Sequence, residues 1–462
     1  MTKKKKLIMV CFLILLAVLA NLFVLCFVKA EDVGNREIDF IVSVRTDTLD
    51  EYQLFSGDTQ NFDEGQSSKA AVKETNVPQE LTLKQRADAS LIRLDFGNWP
   101  AHIYIDSVSV KTEKEEKQIP LAQVAACVDE HSINAMELQG DALYLDTYED
   151  DPYIVFAVDN ADLVDTMQKA ADKKALYLRI FLCILADVVI LVLALNIDIV
   201  VDSGINAIRD KKLIFNLAKN DFKTKYAGSY FGMIWAFVQP VIMILVYWFA
   251  LDIGLRSGQT MSYPFVLWLM CGLVPWFFFS EALGSGTNAL TEYSYLVKKV
   301  VFKIDILPIV KLISAMFVHL FFVALVIILH ACYGYFPDWY TLQILYYIIC
   351  MLVLVMALTY LTSSVVVFFK DLNQIISIIL QVGIWATPIM WNASGISPKL
   401  DAVMKINPVY YVVNGFRDSL LGKVWFWERP VWTVGFWAIV ILLYIIGRKV
   451  FKKLQIHFAD VL

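Results

Sequence analysis

Long apolar runs alternate with short charged segments along most of the chain. Eight runs approach or exceed the ~20 apolar residues that a helix needs to cross a bilayer. They cover residues 7–28, 176–200, 231–251, 264–283, 307–331, 342–369, 375–391 and 431–450. This pattern predicts an α-helical polytopic membrane protein with about eight transmembrane helices. A cleaved signal peptide is the alternative for the first run, which we interpret as a retained helix.

The pattern changes between residues 31 and 172, where apolar and polar residues alternate with a period of two. Ile38, Phe40 and Val42 are interleaved with Asp39 and Ser43, and similar alternation recurs at residues 91–96, 102–110, 143–148 and 153–158. Turn-forming residues occupy 56–58 and 97–100. Seven to nine strands are expected, which predicts an inserted all-β sandwich or jelly-roll domain at residues 29–172.

Charge divides the chain in the same way. Residues 31–172 hold 30 acidic and 11 basic side chains, whereas the rest holds 15 acidic and 29 basic ones. The basic residues cluster at the ends of apolar runs, which indicates cytoplasmic loops rather than nucleic-acid binding. We therefore expect a multi-pass protein of the cytoplasmic membrane with both termini in the cytoplasm and residues 29–175 outside. The expected parts are residues 1–28, 29–172, 173–204, 205–230 and 231–462.

Two cytoplasmic stretches have helical amphipathic patterns. Residues 211–226 place Lys212, Lys219 and Lys223 on one helical face, with apolar residues on the other, which predicts an interfacial helix. An ordinary cytoplasmic linker is the alternative. Residues 293–302 repeat aromatic, apolar and basic side chains at helical spacing, so a short helix there would present an adhesive face. Such a face requires a binding partner.

The sequence lacks several kinds of catalytic or metal-binding motif. It contains no Gly-x-x-x-x-Gly-Lys-Ser/Thr loop for ATP phosphates and no Cys/His pairs at zinc-ligand spacing. No metal site and no cofactor bound by this chain are expected. Asp187 lies in the middle of an apolar run, where an ionisable residue has either a functional role or a structural partner.

Six ordered motifs resemble the permease subunits of ABC exporters for O-antigen, teichoic acid and related polysaccharides. The first three are KYAGSYFGMIW at residues 225–235 followed by QP at 239–240, GLVPWFFFSE at 272–281, and LVKKVVF at 296–302 followed by ILP at 306–308. The others are FFKDL at 368–372, TPIMW at 387–391, and NPVYY at 407–411 followed by FRDSLLG at 416–422. The resemblance extends from about residue 213 to the C-terminus.

The resemblance implies a homodimer with two copies of a separate ATP-binding subunit, which would hold ATP and magnesium. The ATPase-coupling residues would be Tyr293, Tyr295, Leu296, Val297, Lys298, Lys299, Phe302, Lys212, Lys219 and Lys223. It also implies an outer gate that includes Pro388 and Arg417. The expected function is export of a lipid-linked polysaccharide across the membrane, so the chain is expected to be a transport permease and not an enzyme.

Aromatic side chains are candidate sugar contacts, because their faces stack on sugar rings. The translocation path is expected to include Tyr247, Trp248, Trp268, Trp276, Trp385 and Trp391, although an aromatic belt facing lipid headgroups is an alternative. In the β-domain Trp99, Tyr104 and Tyr148 could contact a glycan or could be buried core residues. Two other functions stay open: a membrane-anchored extracellular glycan-binding protein and a membrane glycosyltransferase.

Overall fold

The computed structural model describes residues 3–112, 115–148, 150–225, 227, 230–256, 263–298, 303–393 and 396–462. The chain divides into two compact units. One unit is Lys29–Leu178, called the β-domain below. The other combines Met1–Val28 with Arg179–Leu462 and is called the helical bundle. Its long apolar helices make the chain a multi-pass membrane protein.

Two antiparallel sheets build the β-domain. In the described residues the strands are β1 (Glu37–Thr46), β2 (Glu51–Gly57), β3 (Ser67–Ala71), β4 (Gln79–Arg86), β5 (Leu91–Asp95), β6 (His102–Lys111), β7 (Glu116–Ile119), β8 (Asp129–His131), β9 (Ile133–Gln139), β10 (Ala142–Thr147) and β11 (Tyr153–Ala157). The first sheet has the order β4-β1-β6-β10-β9, with β7 also paired to β6, and the second has the order β3-β2-β5-β11-β8.

A shared apolar core joins the two sheets. Phe40 of β1 and Phe156 of β11 are fully buried, and their ring centroids lie 6.4 Å apart. This confirms the predicted all-β sandwich, because alternate side chains of both sheets point into one core. The strand number was underestimated, since the described residues form eleven strands. Short polar strands such as β3 and β8 do not alternate in burial, so their pattern does not reveal them.

The described residues also form α-helices. They are α1 (Lys3–Phe27), α2 (Leu121–Ala125, in the β-domain), α3 (Ala161–Leu195), α4 (Ile197–Arg209), α5 (Lys211–Lys225), α6 (Trp235–Trp248), α7 (Phe265–Thr287), α8 (Ala289–Glu292), α9 (Ser294–Val297), α10 (Leu307–Cys332), α11 (Ile344–Val366), α12 (Leu372–Ala386), α13 (Pro398–Lys405), α14 (Pro408–Arg417), α15 (Pro430–Leu454) and α16 (Phe458–Val461).

Six stretches within the described residues are long and apolar enough to cross a membrane. They are Ala161–Leu195, Gly232–Gly254, Phe265–Thr287, Ile304–Cys332, Trp339–Val366 and Pro430–Val461. Shorter apolar helices occupy Cys11–Phe27 and Leu372–Ala386. The eight helices coincide with the eight predicted runs. Helix α3 begins at Ala161, well before its apolar run, and includes the polar residues that precede that run.

Helix α7 forms the centre of the bundle. In its most apolar window 78% of the residues are buried, compared with 11% for the span Gly232–Gly254. It shares one apolar core with α10, α11 and α14. The end of the bundle where α7 stops and α10 begins is called the proximal end below, and the opposite end is the distal end.

Helices α1 and α3 are joined by polar contacts. Asn21 Nδ2 donates to Asp187 Oδ1 at 3.1 Å, and Arg179 Nε donates to the Val28 carbonyl at 2.7 Å. Asp187 therefore has a structural partner, which is one of the two interpretations predicted for it. An amide partner lowers the cost of a carboxyl group at this depth.

Candidate functional site

The proximal segment (Ala289–Ile306) connects α7 to α10. It contains two single-turn helices, α8 and α9, that meet at Tyr293. One continuous helix was expected from Tyr293 to Phe302, but α9 covers only Ser294–Val297 and a turn follows at Lys298. Lys299 and Phe302 lie outside the described residues. The segment continues at Lys303, whose Nζ donates to Asp210 Oδ2 at 2.6 Å.

A buried lysine organises the proximal end. Lys311 of α10 is only 6% exposed, and its Nζ lies 2.6 Å from Asp221 Oδ1 and 2.5 Å from Glu292 Oε2. Tyr293 Oη donates to the same Asp221 oxygen at 2.8 Å, and its ring centroid lies 5.1 Å from the Lys311 ammonium. Burial raises the pKa of the Tyr293 hydroxyl, and the adjacent Asp221 carboxylate raises it further. This proximal network joins α5, the proximal segment and α10.

Helix α5 packs on α10 along an apolar stripe. Ile214 and Ala218 of α5 share a small core with Ile306 and Val310, and Phe222 meets Phe317 edge to face at 5.8 Å. The predicted amphipathic helix is thus present as Lys211–Lys225. Its buried face differs from the predicted one, since Ala218 and Asp221 are buried. Asp221 tolerates burial because Lys311 neutralises it.

The predicted coupling residues fall into two groups. Those exposed at the proximal end are Tyr295 and Lys298 of the proximal segment and Lys212, Lys219 and Lys223 of α5. Leu296 is half-buried, and Val297 is only 3% exposed. Val297 packs in a core that includes Phe458 of α16, so its side chain serves the chain's own packing. The role of the whole set in coupling stays a prediction.

A polar cavity of about 310 Å³ opens beside the proximal network. Its lining includes Glu281, Glu292 and Lys311, and Lys225 pairs with Glu281 there. No cluster of three metal-ligating side chains occurs in the part of the chain that the structure describes. The cavity therefore offers a charged surface at the junction of α5, α7 and α10.

A second buried cation anchors the far side of the proximal segment. Arg448 of α15 is 1% exposed, and its Nη2 lies 3.6 Å from Asp305 Oδ2. The guanidinium carbon is 4.4 Å from the centroid of the Tyr360 ring, and Tyr360 Oη donates to the Asp305 carbonyl at 3.1 Å. The proximal segment is thus held by α15 and α11 at one end and by α10 and α5 at the other.

The distal end contains the two predicted gate residues, and the structure brings them together. Arg417, at the end of α14, is 9% exposed. Its Nη1 donates to the Pro388 carbonyl at 2.9 Å and its Nη2 to the Ile389 carbonyl at 3.0 Å. The guanidinium also stacks on Trp268 of α7, 3.7 Å from the ring centroid. A role for this distal clamp as a gate stays a prediction.

A cavity of about 340 Å³ adjoins this clamp. Aromatic side chains in its lining are Tyr263, Trp268, Tyr410 and Trp432. Charged residues in the same lining are Asp401, Lys405, Arg417, Asp418 and Arg429. Two ion pairs form among them, Lys405 with Asp401 at 2.5 Å and Arg429 with Asp418 at 2.9 Å.

The predicted path aromatics do not share one environment. Trp268 and Trp276 are each 5% exposed and belong to the apolar core. Tyr247 and Trp248 are partly buried against the same core, and Trp248 Nε1 donates to Asp252 at 2.9 Å. Trp385 is exposed, and its carbonyl accepts a bond from Trp391 Nε1 at 2.9 Å. That these residues line a path stays a prediction.

The three candidate glycan contacts of the β-domain lie at one end of its first sheet. Trp99 is 65% and Tyr148 55% exposed, so the buried-core interpretation is wrong for both. Trp99 precedes β6 and Tyr148 follows β10. Beside them the Thr147 backbone N–H donates to the Ala101 carbonyl at 3.1 Å. Tyr104 is half-buried, with Arg45 5.2 Å from its ring centroid. Contact with a glycan stays a prediction.

Sequence reasoning missed the residues that hold both proximal anchors: Lys311, Asp221, Glu292, Asp305 and Arg448. One signal was available. Lys311 and Arg448 each interrupt an apolar run near its end, and a charged residue there requires a partner or an escape to water. The partners themselves could not be identified, because Lys311 and Asp221 are 90 residues apart in sequence.

Comparison with known proteins matches part of the chain to a described family. Residues 212–421 match the model of the ABC-2 type transporter family. An O-antigen export system permease protein RfbA from Myxococcus xanthus is 27% identical over 207 residues, 44% of this chain and 78% of that protein. A protein of the same name from Klebsiella pneumoniae is 25% identical over 256 residues, 54% of this chain and 95% of the relative.

Proposed function

We propose that this chain is an ABC-2 type permease related to the O-antigen exporters, and that it forms the membrane half of an ATP-driven exporter of lipid-linked polysaccharide. The proposed energy source is a separate ATP-binding subunit, because the chain has no phosphate-binding loop of its own. Two copies of the chain would work with two copies of that subunit. The proximal end would face the cytoplasm, where basic loops are retained.

The observation that carries this proposal is the proximal network. Asp221, Glu292 and Lys311 join an exposed amphipathic helix, an exposed loop segment and the start of a membrane span. A push on α5 or on the proximal segment would therefore move α10 as well. This is the connection that a permease requires if a partner outside the membrane supplies the force.

Charge supports a docking role for the same surface. Lys212, Lys219, Lys223 and Lys298 are exposed around the network. An acidic or mixed-charge groove on an ATP-binding subunit would be attracted by these lysines, and the association rate would fall as salt screens them. Tyr295, which is 58% exposed, supplies an aromatic anchor of the kind enriched at interfaces.

Co-purification tests the proposal. The chain is co-expressed with a candidate ATP-binding subunit in its wild-type form and as Lys219→Glu/Lys298→Glu. We expect the variant to retain no more than about a tenth of the bound subunit, because two attractive charges become repulsive. Lys399→Glu, which reverses an exposed lysine of α13, is the matched control and should bind normally.

Transport activity provides the second readout. The wild-type complex should hydrolyse ATP faster when a lipid-linked glycan is added, and the docking variant should not respond. If no ATP-binding subunit co-purifies and export continues in the docking variant, the permease proposal is wrong. Stable glycan binding without any ATP-binding partner would instead favour the membrane-anchored receptor.

We also propose that the β-domain contacts the exported glycan through Trp99, Tyr148 and Tyr104. Exposed aromatic rings at the end of one sheet support this role, since such rings stack on sugars. In the full-length protein Trp99→Ala/Tyr148→Ala should weaken glycan binding at least about tenfold, given ~1 kcal/mol for each stacked ring. Val77→Ala, which truncates another exposed apolar residue of the domain, should bind as the wild type does.

A further inference from the structure

The charges that line the distal cavity do not balance. Lys405 is paired with Asp401, and Arg429 is paired with Asp418. Arg417 is the third cation of the lining, and no described carboxylate lies within ion-pair distance of it. Glu428, the first carboxylate after Asp418 in the sequence, is exposed and does not line the cavity. The cavity therefore carries one buried positive charge in excess.

Arg417 is held in place by neutral groups. Carbonyl oxygens of Pro388 and Ile389 accept from its two terminal nitrogens, while Nε has no partner among the described residues. A buried charge normally has an opposite charge or a metal nearby, because loss of water around an isolated ion is costly. Carbonyl dipoles orient the guanidinium but do not cancel its charge. An anion in the adjacent cavity would cancel it.

The remaining lining fits a sugar ring. Trp432 is half-buried and Tyr410 lies 5.7 Å from it, between ring centroids. Asn414 adds an amide, which can donate to and accept from hydroxyl groups. The volume of about 340 Å³ falls near the lower limit for small-molecule sites. A single monosaccharide unit is the appropriate size of occupant.

We propose that the distal cavity binds one acidic sugar unit, a saccharide that bears a phosphate or a carboxylate group. The acidic group compensates the charge of Arg417, and the aromatic side chains contact the ring. The inference rests on the proposed export function for the origin of this sugar, which would be a unit of the exported polymer. It narrows the substrate class to polysaccharides with acidic units.

The test is calorimetric titration of the full-length chain in nanodiscs of neutral lipid, without an ATP-binding subunit. The probes are glucose 1-phosphate, glucose, inorganic phosphate and glycerol 3-phosphate. We expect glucose 1-phosphate to bind at least about tenfold more tightly than each of the other three, because only it offers both the charge and the ring. Equal affinity for glucose removes the role of charge and overturns the proposal.

The other probes separate the possible sources of a phosphate group. If glycerol 3-phosphate binds as tightly as glucose 1-phosphate, the cavity takes a lipid headgroup and the saccharide assignment fails. If inorganic phosphate binds as tightly, the ring contributes nothing and the assignment also fails. Because no partner subunit is present, absence of binding would refute this inference and leave the export proposal standing. If glucose 1-phosphate binds but the complex does not export polysaccharide, this inference stands and the export proposal fails.

Two charge variants test the role of Arg417 in opposite directions. Arg417→Gln should abolish the preference for glucose 1-phosphate over glucose. Asp418→Asn frees Arg429 and should raise the affinity for glucose 1-phosphate about threefold or more, an effect that damage to the fold would not produce. Should Arg417→Gln fail to fold, the second variant decides, and an unchanged or lower affinity in folded Asp418→Asn overturns the proposal. Lys399→Gln, outside the cavity lining, is the control.

Discussion

Two buried cations, one at each end of the bundle, are surrounded by different acceptors. Lys311 at the proximal end contacts two carboxylates, whereas Arg417 at the distal end contacts carbonyl oxygens of the chain. Two carboxylates neutralise the charge of Lys311, and these ion pairs hold α5, the proximal segment and α10 together. Arg417, held by carbonyl dipoles and the Trp268 ring, has no carboxylate among the described residues that neutralises it, so its charge is available to a ligand. A buried cation thus connects helices at the proximal end, whereas at the distal end it binds the proposed acidic ligand.

The largest expected effect is the loss of the proximal lysine. Lys311→Met leaves the buried carboxylate of Asp221 without a cation, so we expect a loss of about 3–5 kcal/mol in the free energy of unfolding. The measurement is chemical unfolding of the full-length chain in mixed micelles. Asp221→Asn/Lys311→Met removes both charges and should recover more than half of that loss. An unchanged midpoint in the single variant would mean that the network does not join these elements.

Removal of the carboxylate beside Arg448 should have the next largest effect. In Asp305→Asn the fully buried guanidinium loses its ion-pair partner, which should cost roughly 2 kcal/mol. Asp202→Asn is a matched control, because its pair with Lys452 has the same 3.6 Å separation and is exposed. The control should change stability by less than about 0.5 kcal/mol. Equal effects of both substitutions would contradict the importance of burial.

The distal clamp can be disturbed without any change of charge. A Cβ atom at Gly272 would lie 3.0 Å from Ile389 Cγ2 and 3.1 Å from Arg417 Nη2, so Gly272→Ala must displace the clamp by a few tenths of an ångström. Affinity for glucose 1-phosphate should fall about threefold, or ~0.7 kcal/mol. Gly284→Ala in the same helix meets no atom within 4 Å and should leave the affinity unchanged. A fall in both variants would point to the helix and not to the clamp.

The smallest expected effect concerns one hydroxyl of the proximal network. Tyr293→Phe removes the bond to Asp221 but keeps the ring beside Lys311, so stability should fall by about 1 kcal/mol. Tyr295→Phe removes an exposed hydroxyl and should have no measurable effect. Micelle unfolding detects the difference if both variants are compared in one series. A loss above about 3 kcal/mol would show that Tyr293 does more than donate one hydrogen bond.

The length of the apolar runs was sufficient to predict the eight apolar helices, and the alternation of apolar and polar residues was sufficient to predict the β-sandwich. Both are local patterns in the sequence. Residues 38–45 alternate as a half-buried strand does, and β1 occupies Glu37–Thr46. Local patterns did not predict the burial of Asp221 in α5. Its burial depends on Lys311 of another helix, and no local pattern contains that information.

For the candidate sites too, the sequence predicted which segments meet but not which side chains form ion pairs. Motifs predicted that residues 388 and 417 belong to one region, and the structure places Arg417 on the Pro388 carbonyl. The charge imbalance of the distal cavity could not be predicted. It depends on which carboxylates form ion pairs with Arg429 and Lys405, and the geometry of the side chains determines those pairs. Within the described part of the predicted helix at 293–302, the structure similarly shows one short helical turn, α9 at Ser294–Val297.

The packing of Phe458 beneath the proximal segment has a consequence for the protein's evolution. Phe458 is fully buried in the core that also contains Val297, so the volumes of these two side chains are shared. Lineages that enlarge one of them should reduce the other. Aligned relatives should therefore show paired changes at these positions, and the record of such pairs would reveal this contact to a reader who had only sequences.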